Sequence, residues 1–251
     1  MIAPTSVADV IARMESSVST LPRTDGIACF TRLYLSVTQG VQERLAELTF
    51  ADPRFLAHLD VAFAGLFFAA LDASAATRPR AWVPLVESRK TRGIAPLQFA
   101  LAGMSAHINR DLPVALVATC AELGIEPNEG SPQHGDYLQV NRLLAEVETK
   151  VKAQYLTGWL SGLDRLVHRI HRLDDVVAMW NVDRARDAAW VSAQTLWALR
   201  GEPELSAGYL DALDRTVGLT ARGLLVPADT WLQRLGRALR LTPSPAARTR
   251  A

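Results

Sequence analysis

Apolar residues in this chain recur at helical spacing almost from end to end, and alternation at period two is scarce. A helix with one apolar stripe must bury it against another helix or a sheet. With no strand signal to supply a sheet, the spacing predicts an all-α fold. The clearest stripe is Ile27, Phe30, Tyr34, Val37, Val41, Leu45 and Leu48.

Start and stop signals divide the pattern. Thr5 or Ser6 starts helix one over 6–21, and Pro22 stops it. Asp25 caps helix two over 26–49. Asp52-Pro53 opens helix three over 53–73, which is apolar nearly all round after Asp60 and therefore central. A connection at 74–94 contains a short helical piece near 84–90, with Trp82 plugging a core edge. Helix four spans 95–123, should kink near Pro113, and ends at Gly124. Glycines and prolines make 124–135 a loop. Helices follow at 136–156, 159–171, 175–199, 203–225 and 227–241, then a disordered tail at 242–251. The expectation is one domain over 1–241, of eight or nine helices packed around the central apolar helix and the proline-kinked one.

A net charge of +1 gives no electrostatic reason to bind nucleic acid or an anionic membrane. The longest apolar run, near 61–71, is short for a bilayer span, and no basic-then-apolar leader opens the sequence. Cys29 and Cys120 sit in apolar periodic segments and read as buried thiols of a reducing compartment. The chain is therefore expected to be cytoplasmic. Phosphate loops, nucleophile elbows, Cys-x-x-Cys pairs and His-Glu-x-x-His are all missing from the sequence.

Polar residues concentrate in helix four, in Gln98-Phe-Ala-Leu-Ala-Gly-Met-Ser-Ala-His107-Ile-Asn-Arg-Asp111-Leu-Pro113. His107 and Asp111 are one turn apart on one face, and Ser105 and Asn109 form a second such pair. Pro113 has no N–H for the carbonyl of Asn109. Polar side chains beside a broken backbone hydrogen bond suggest a site, set between helices three, four, five and seven.

Two readings of that site stay open. In the first it is a divalent-metal centre, with zinc as first choice, that hydrolyses an ester or phosphoester. His107, Asp111 and Asp60 are then ligands, and His134 or Asp136 is the general base or a further ligand. Gln98, Asn109 and Arg186 contact the substrate. A second His-x-x-x-Asp pair, His171–Asp175, sits in an arginine-rich joint and reads as solvated. The pair spacing is similar to that of all-helical zinc-dependent phospholipases C. In the second reading the same residues form a hydrogen-bonded polar core around a small apolar ligand, or simply pin the helix. Asp174, Asp175, Asp183 and Asp187 raise a minor third idea, a magnesium-dependent isoprenoid enzyme. For helix seven the plainer reading is an internal aspartate–arginine network.

Several segments carry a family resemblance. They are Phe30-Thr-Arg-Leu-Tyr-Leu, Asp60-Val-Ala-Phe-Ala-Gly, the Gln98–Leu112 stretch, Asp136-Tyr-Leu-Gln-Val-Asn141 and Ala185-Arg-Asp-Ala-Ala-Trp190. Together they resemble an uncharacterised bacterial family, domain of unknown function 5995. Gly-Met-x-Ala-His-Ile-x-x-Asp-Leu is the specific part, and Ser105 stands where that family usually has asparagine. The resemblance implies an all-helical fold and supplies no activity.

Overall fold

The computed structural model describes residues 4–45, 50–142, 144 and 181–227. Every regular element among them is helical. In order they are α1 (Val7–Thr20), α2 (Gly26–Leu45), α3 (Pro53–Asp72), α4 (Val83–Ser88) and α5 (Pro96–Ala106). A π-helical turn (His107–Asp111) leads into α6 (Leu112–Leu123). Then come α7 over 132–142, α8 (Val182–Ala198), a 3₁₀ turn (Leu199–Gly201) and α9 (Pro203–Leu224).

The expected caps hold. Ser6 Oγ accepts from the Asp9 N–H at 3.1 Å, and Asp52 Oδ1 accepts from the Phe55 N–H at 3.1 Å. Asp25 Oδ1 accepts from the Ile27 N–H at 2.9 Å, while its Oδ2 takes the Arg89 fork at 2.8 Å. Gly124 ends α6 in the left-handed conformation, with φ +67°, which costs glycine nothing.

Three boundaries differ from the sequence reading. Helix α7 starts at 132 rather than 136, because Ser131 Oγ accepts the His134 N–H at 3.1 Å and Pro132 fills the first position. Helix α8 starts at Val182 rather than 175, because extended Asn181 caps it through the Arg184 N–H at 3.0 Å. Helix four is α5, a π turn and α6 in succession rather than one helix kinked at the proline. The segments expected at 159–171 and 242–251, the helix expected at 227–241 after Pro227, residues 145–156 of the helix expected at 136–156, and the His171, Asp174 and Asp175 positions lie outside the described residues.

Helix α2 packs on α1 and α5, α3 packs on α6, and α6 packs on α8. Helix α9 closes over α4 and α5. One hydrophobic cluster joins residues from α1 to α9, including Met14, Phe30, Phe67, Trp82, Leu116, Trp190 and Val217. By length and apolar composition α3 does meet the requirement for a membrane span, since 18 of its residues average a hydropathy of 1.6. The shorter window at 61–71 missed this. Here Phe55, Leu59, Ala64, Phe67, Phe68 and Ala70 of α3 are buried within the protein.

Phe30 is the hub of the core. Its ring meets Phe67 at 5.0 Å, Trp82 at 5.4 Å, Tyr34 at 5.8 Å and His107 at 5.9 Å. It fits because α5 offers Gly103, where a Cβ would overlap the Phe30 ring. Gly103→Ala should therefore destabilise the fold by about 2–3 kcal/mol. At Gly65 a Cβ meets nothing, so Gly65→Ala on helix α3 should be neutral or stabilise by up to about 1 kcal/mol. Urea denaturation of both variants checks the contrast. Equal effects would contradict the packing.

Candidate functional site in the aromatic core

The π turn arises where the chain must absorb one extra residue before Pro113. The Leu112 N–H bonds the His107 carbonyl, five residues back. Such single-turn bulges are rare and cluster at functional sites. Here the turn is buried, and His107 and Asp111 face the core with 1% and 0% of their side chains exposed.

A buried carboxylate must be compensated. Asp111 Oδ2 accepts from the Trp82 indole N–H at 2.9 Å and lies 3.1 Å from His107 Nδ1. Its Oδ1 accepts from Arg110 Nη1 at 2.9 Å. The Arg110 Nε lies 3.6 Å from Asp214 of α9. Asp214 in turn accepts from the Arg80 and Ala81 N–H groups at 2.7 and 3.0 Å. Asp111 is therefore an anchor inside the protein, with both oxygens occupied.

An ionised carboxylate only accepts, so His107 must carry its proton on Nδ1. Burial pushes the His107 pKa below its usual range, against the pull of Asp111. The imidazole is thus neutral at pH 7, and Nε2 is a bare acceptor. It has no partner among the described residues. Phe63 stacks flat on the ring at 3.5 Å, and Tyr34 stands edge-on at 4.7 Å.

Two more buried polar atoms beside this ring, Tyr34 Oη and Asp60 Oδ2, have no partner among the described residues; Arg110 Nε also makes no hydrogen bond among them but faces the Asp214 carboxylate at 3.6 Å. Burial, and then the Asp60 and Asp111 charges, push the Tyr34 hydroxyl well above its usual range. Burial lifts Asp60 to about 6, although the Arg186 charge opposes it. Asp60 and Phe63 are both half-buried, so the outer edge of α3 is the cluster's margin.

Arg186 is held by α7. Its Nε donates to Asn141 Oδ1, its guanidinium lies 4.4 Å over the Tyr137 ring, and its carbonyl accepts from Tyr137 Oη at 2.8 Å. Its partners are therefore Asn141 and Tyr137, rather than the aspartates of its own helix. Asp187 is exposed and Asp183 is half-buried.

The remaining expected residues are placed elsewhere. Gln98 ties α5 to the end of α9, accepting from the Ala95 N–H at 2.8 Å and donating to the Leu224 and Val226 carbonyls at 2.7 and 3.0 Å. Asn109 bonds back to the Ser105 carbonyl at 3.1 Å. Asp136 accepts from the Ala51 and Asp52 N–H groups at 2.9 and 2.6 Å, fixing the start of α3. That point is about 16 Å along the α3 axis from Phe63. His134 Nδ1 accepts from the Gly130 N–H at 3.2 Å, and its ring meets Trp190 at 4.6 Å. Among the described residues no three His, Cys, Asp or Glu side chains gather closely enough to hold a metal ion. The Arg186 charge acts on both Asp60 and His107, and Tyr34, Phe63, Trp82 and Arg110, which sequence reasoning had not placed in the site, lie around His107 and Asp111. Trp82 carried a signal, because a core indole N–H needs an acceptor.

The model of a family of unknown function, DUF5995, matches residues 7–227. The chain belongs to that family. No curated protein and no solved structure matches it. The segments that carried the resemblance to DUF5995 supply Phe30, Tyr34, Asp60, Phe63, His107, Asp111, Asn141 and Arg186, all of this one region.

Two outcomes follow for stability. Asp111→Ala strands Arg110, Trp82 and His107, and should cost about 3–5 kcal/mol, whereas Trp82→Phe removes one donor and should cost less. Asp60 keeps a proton in the folded state up to about pH 6, which the unfolded chain releases near its usual 3.8. Its contribution is therefore most favourable at low pH and falls as pH rises through about 6. His107 works in the opposite sense, because the unfolded chain takes up a proton below 6.5 that the folded protein resists. Asp60→Asn should isolate the first effect, stabilising by about 1–2 kcal/mol at pH 7 and by little at pH 4. Denaturation midpoints at both pH values check this, and a pH-independent difference would contradict the burial of Asp60.

Proposed function

We propose that this protein is a helical small-molecule-binding protein of the cytoplasm, whose ligand meets His107 Nε2, Tyr34 Oη and Asp60 Oδ2. One observation carries the reading: three enclosed polar atoms on three different elements have no partner among the described residues. Native interiors rarely leave polar atoms unpaired, and each unpaired atom costs about 1–3 kcal/mol. Three of them in one aromatic cluster suit a site organised for something outside the chain. Asp111 supports it from behind by fixing the imidazole tautomer. Cys29 and Cys120 are both buried, which suits small packing thiols of a reducing compartment.

A second reading is favoured by the same dyad. A carboxylate behind an imidazole is the arrangement that orients a metal-ligating histidine. In that case His107 and Asp60 would hold a divalent ion, zinc first, for hydrolysis of an ester or phosphoester. Asp111 would stand behind His107 rather than bind the ion. Elemental analysis of tag-free protein beside His107→Ala separates the two. Stoichiometric zinc that is lost in the variant supports the metal reading, and metal retained in the variant sinks it.

The binding reading has its own test in Tyr34→Phe. Removing an unpartnered hydroxyl should leave the free protein as stable or more so by about 1 kcal/mol. The same change should weaken any ligand that raises the melting temperature of the wild type. A clear loss of stability in the free variant would mean that the hydroxyl already has a structural partner, and the reading would fail.

A further inference from the structure

We propose that the ligand this site selects is a small organic primary ammonium, received between the Asp60 carboxylate and the His107 imidazole. This rests on the binding reading above. His107 Nδ1 must donate to Asp111, so the group it presents on its other side only accepts. Ionised Asp60 likewise only accepts, and its Oδ2 has no partner among the described residues. A ligand that satisfies both must bring at least two hydrogens on one head. A hydroxyl has one; a primary ammonium has three.

Charge accounting points the same way. Asp111 is matched directly by Arg110 at 2.9 Å. Among the described residues Asp60 makes no such contact: Arg186 places its Nε on Asn141 and its guanidinium face on the Tyr137 ring. The Arg186 charge is felt at Asp60 but does not undo the cost of burial. A cation brought to Asp60 would supply the missing contact. Phe63 and Tyr34, which pack against the His107 ring, supply aromatic walls for an apolar stem. A carboxylate or phosphate ligand placed between His107 and Asp60 would instead meet two acceptors, one of them anionic.

Nuclear magnetic resonance titration of the full chain tests this, following the Trp82 indole N–H and the His107 ring protons. The probes are benzylamine and n-butylamine, with benzyl alcohol and n-butanol as neutral counterparts. Wild type, Asp60→Asn and His107→Ala are compared at pH 7.5. The expected result is that an amine shifts both signals and binds at least about tenfold tighter than its alcohol. That preference should vanish in Asp60→Asn. If amine and alcohol bind equally, or if the amine is unaffected by Asp60→Asn while His107→Ala abolishes binding, the ammonium assignment is overturned and the site stands. If none of the four probes moves either signal, both the ligand class and the binding reading fall.

Discussion

The buried charge of Asp111 is the constraint on which this structure turns. A carboxylate with no exposed side-chain surface is tolerable only with donors on both oxygens, and here three side chains provide them. Each comes from a different demand of the fold. Trp82 anchors the connection before α4, His107 begins the π turn, and Arg110 leads on to Asp214 of α9. Removing the carboxylate would leave three charges or dipoles stranded in a core of aromatic rings, so packing and electrostatics cannot be separated at this point. What emerges on the far side is an imidazole fixed in one tautomer, whose Nε2 lone pair has no partner among the described residues.

The π turn makes that geometry available. In an unbroken α-helix, Pro113 would leave the Asn109 carbonyl orphaned inside the protein. Shifting the hydrogen bonds by one residue just before the proline lets the Leu112 N–H reach His107 instead. Gly103, one turn earlier, lets Phe30 sit against α5 and the imidazole at once. Local backbone irregularity and close approach of two helices are thus part of the same device. Helix α3 completes it from the other side with Phe63 and Asp60.

Much of this was legible in the sequence. Helical spacing gave the fold class, and Asp25, Asp52 and Gly124 act at the boundaries where cap chemistry placed them. The His107–Asp111 pair was readable because four residues make one helical turn. Its chemistry was not, because whether Asp111 binds a shared ion or anchors the histidine depends on Trp82, 29 positions away. Gln98 and Asp136 show the converse. Both looked like site residues, but each binds backbone groups at the end of a distant helix. A carboxylate that fixes a helix start and one that meets a ligand have the same signature until the chain is folded. Ser131-Pro132 was a true start signal hidden in a stretch whose glycines outweighed it.

The account turns on the protonation of a single ring, which nitrogen-15 chemical shifts of His107 report directly at neutral pH. The account predicts a proton on Nδ1, a bare pyridine-like Nε2, and one fixed tautomer. A proton on Nε2, a mixture of tautomers, or an imidazolium at pH 7 would contradict it, since Asp111 would then not be presenting His107 as an acceptor.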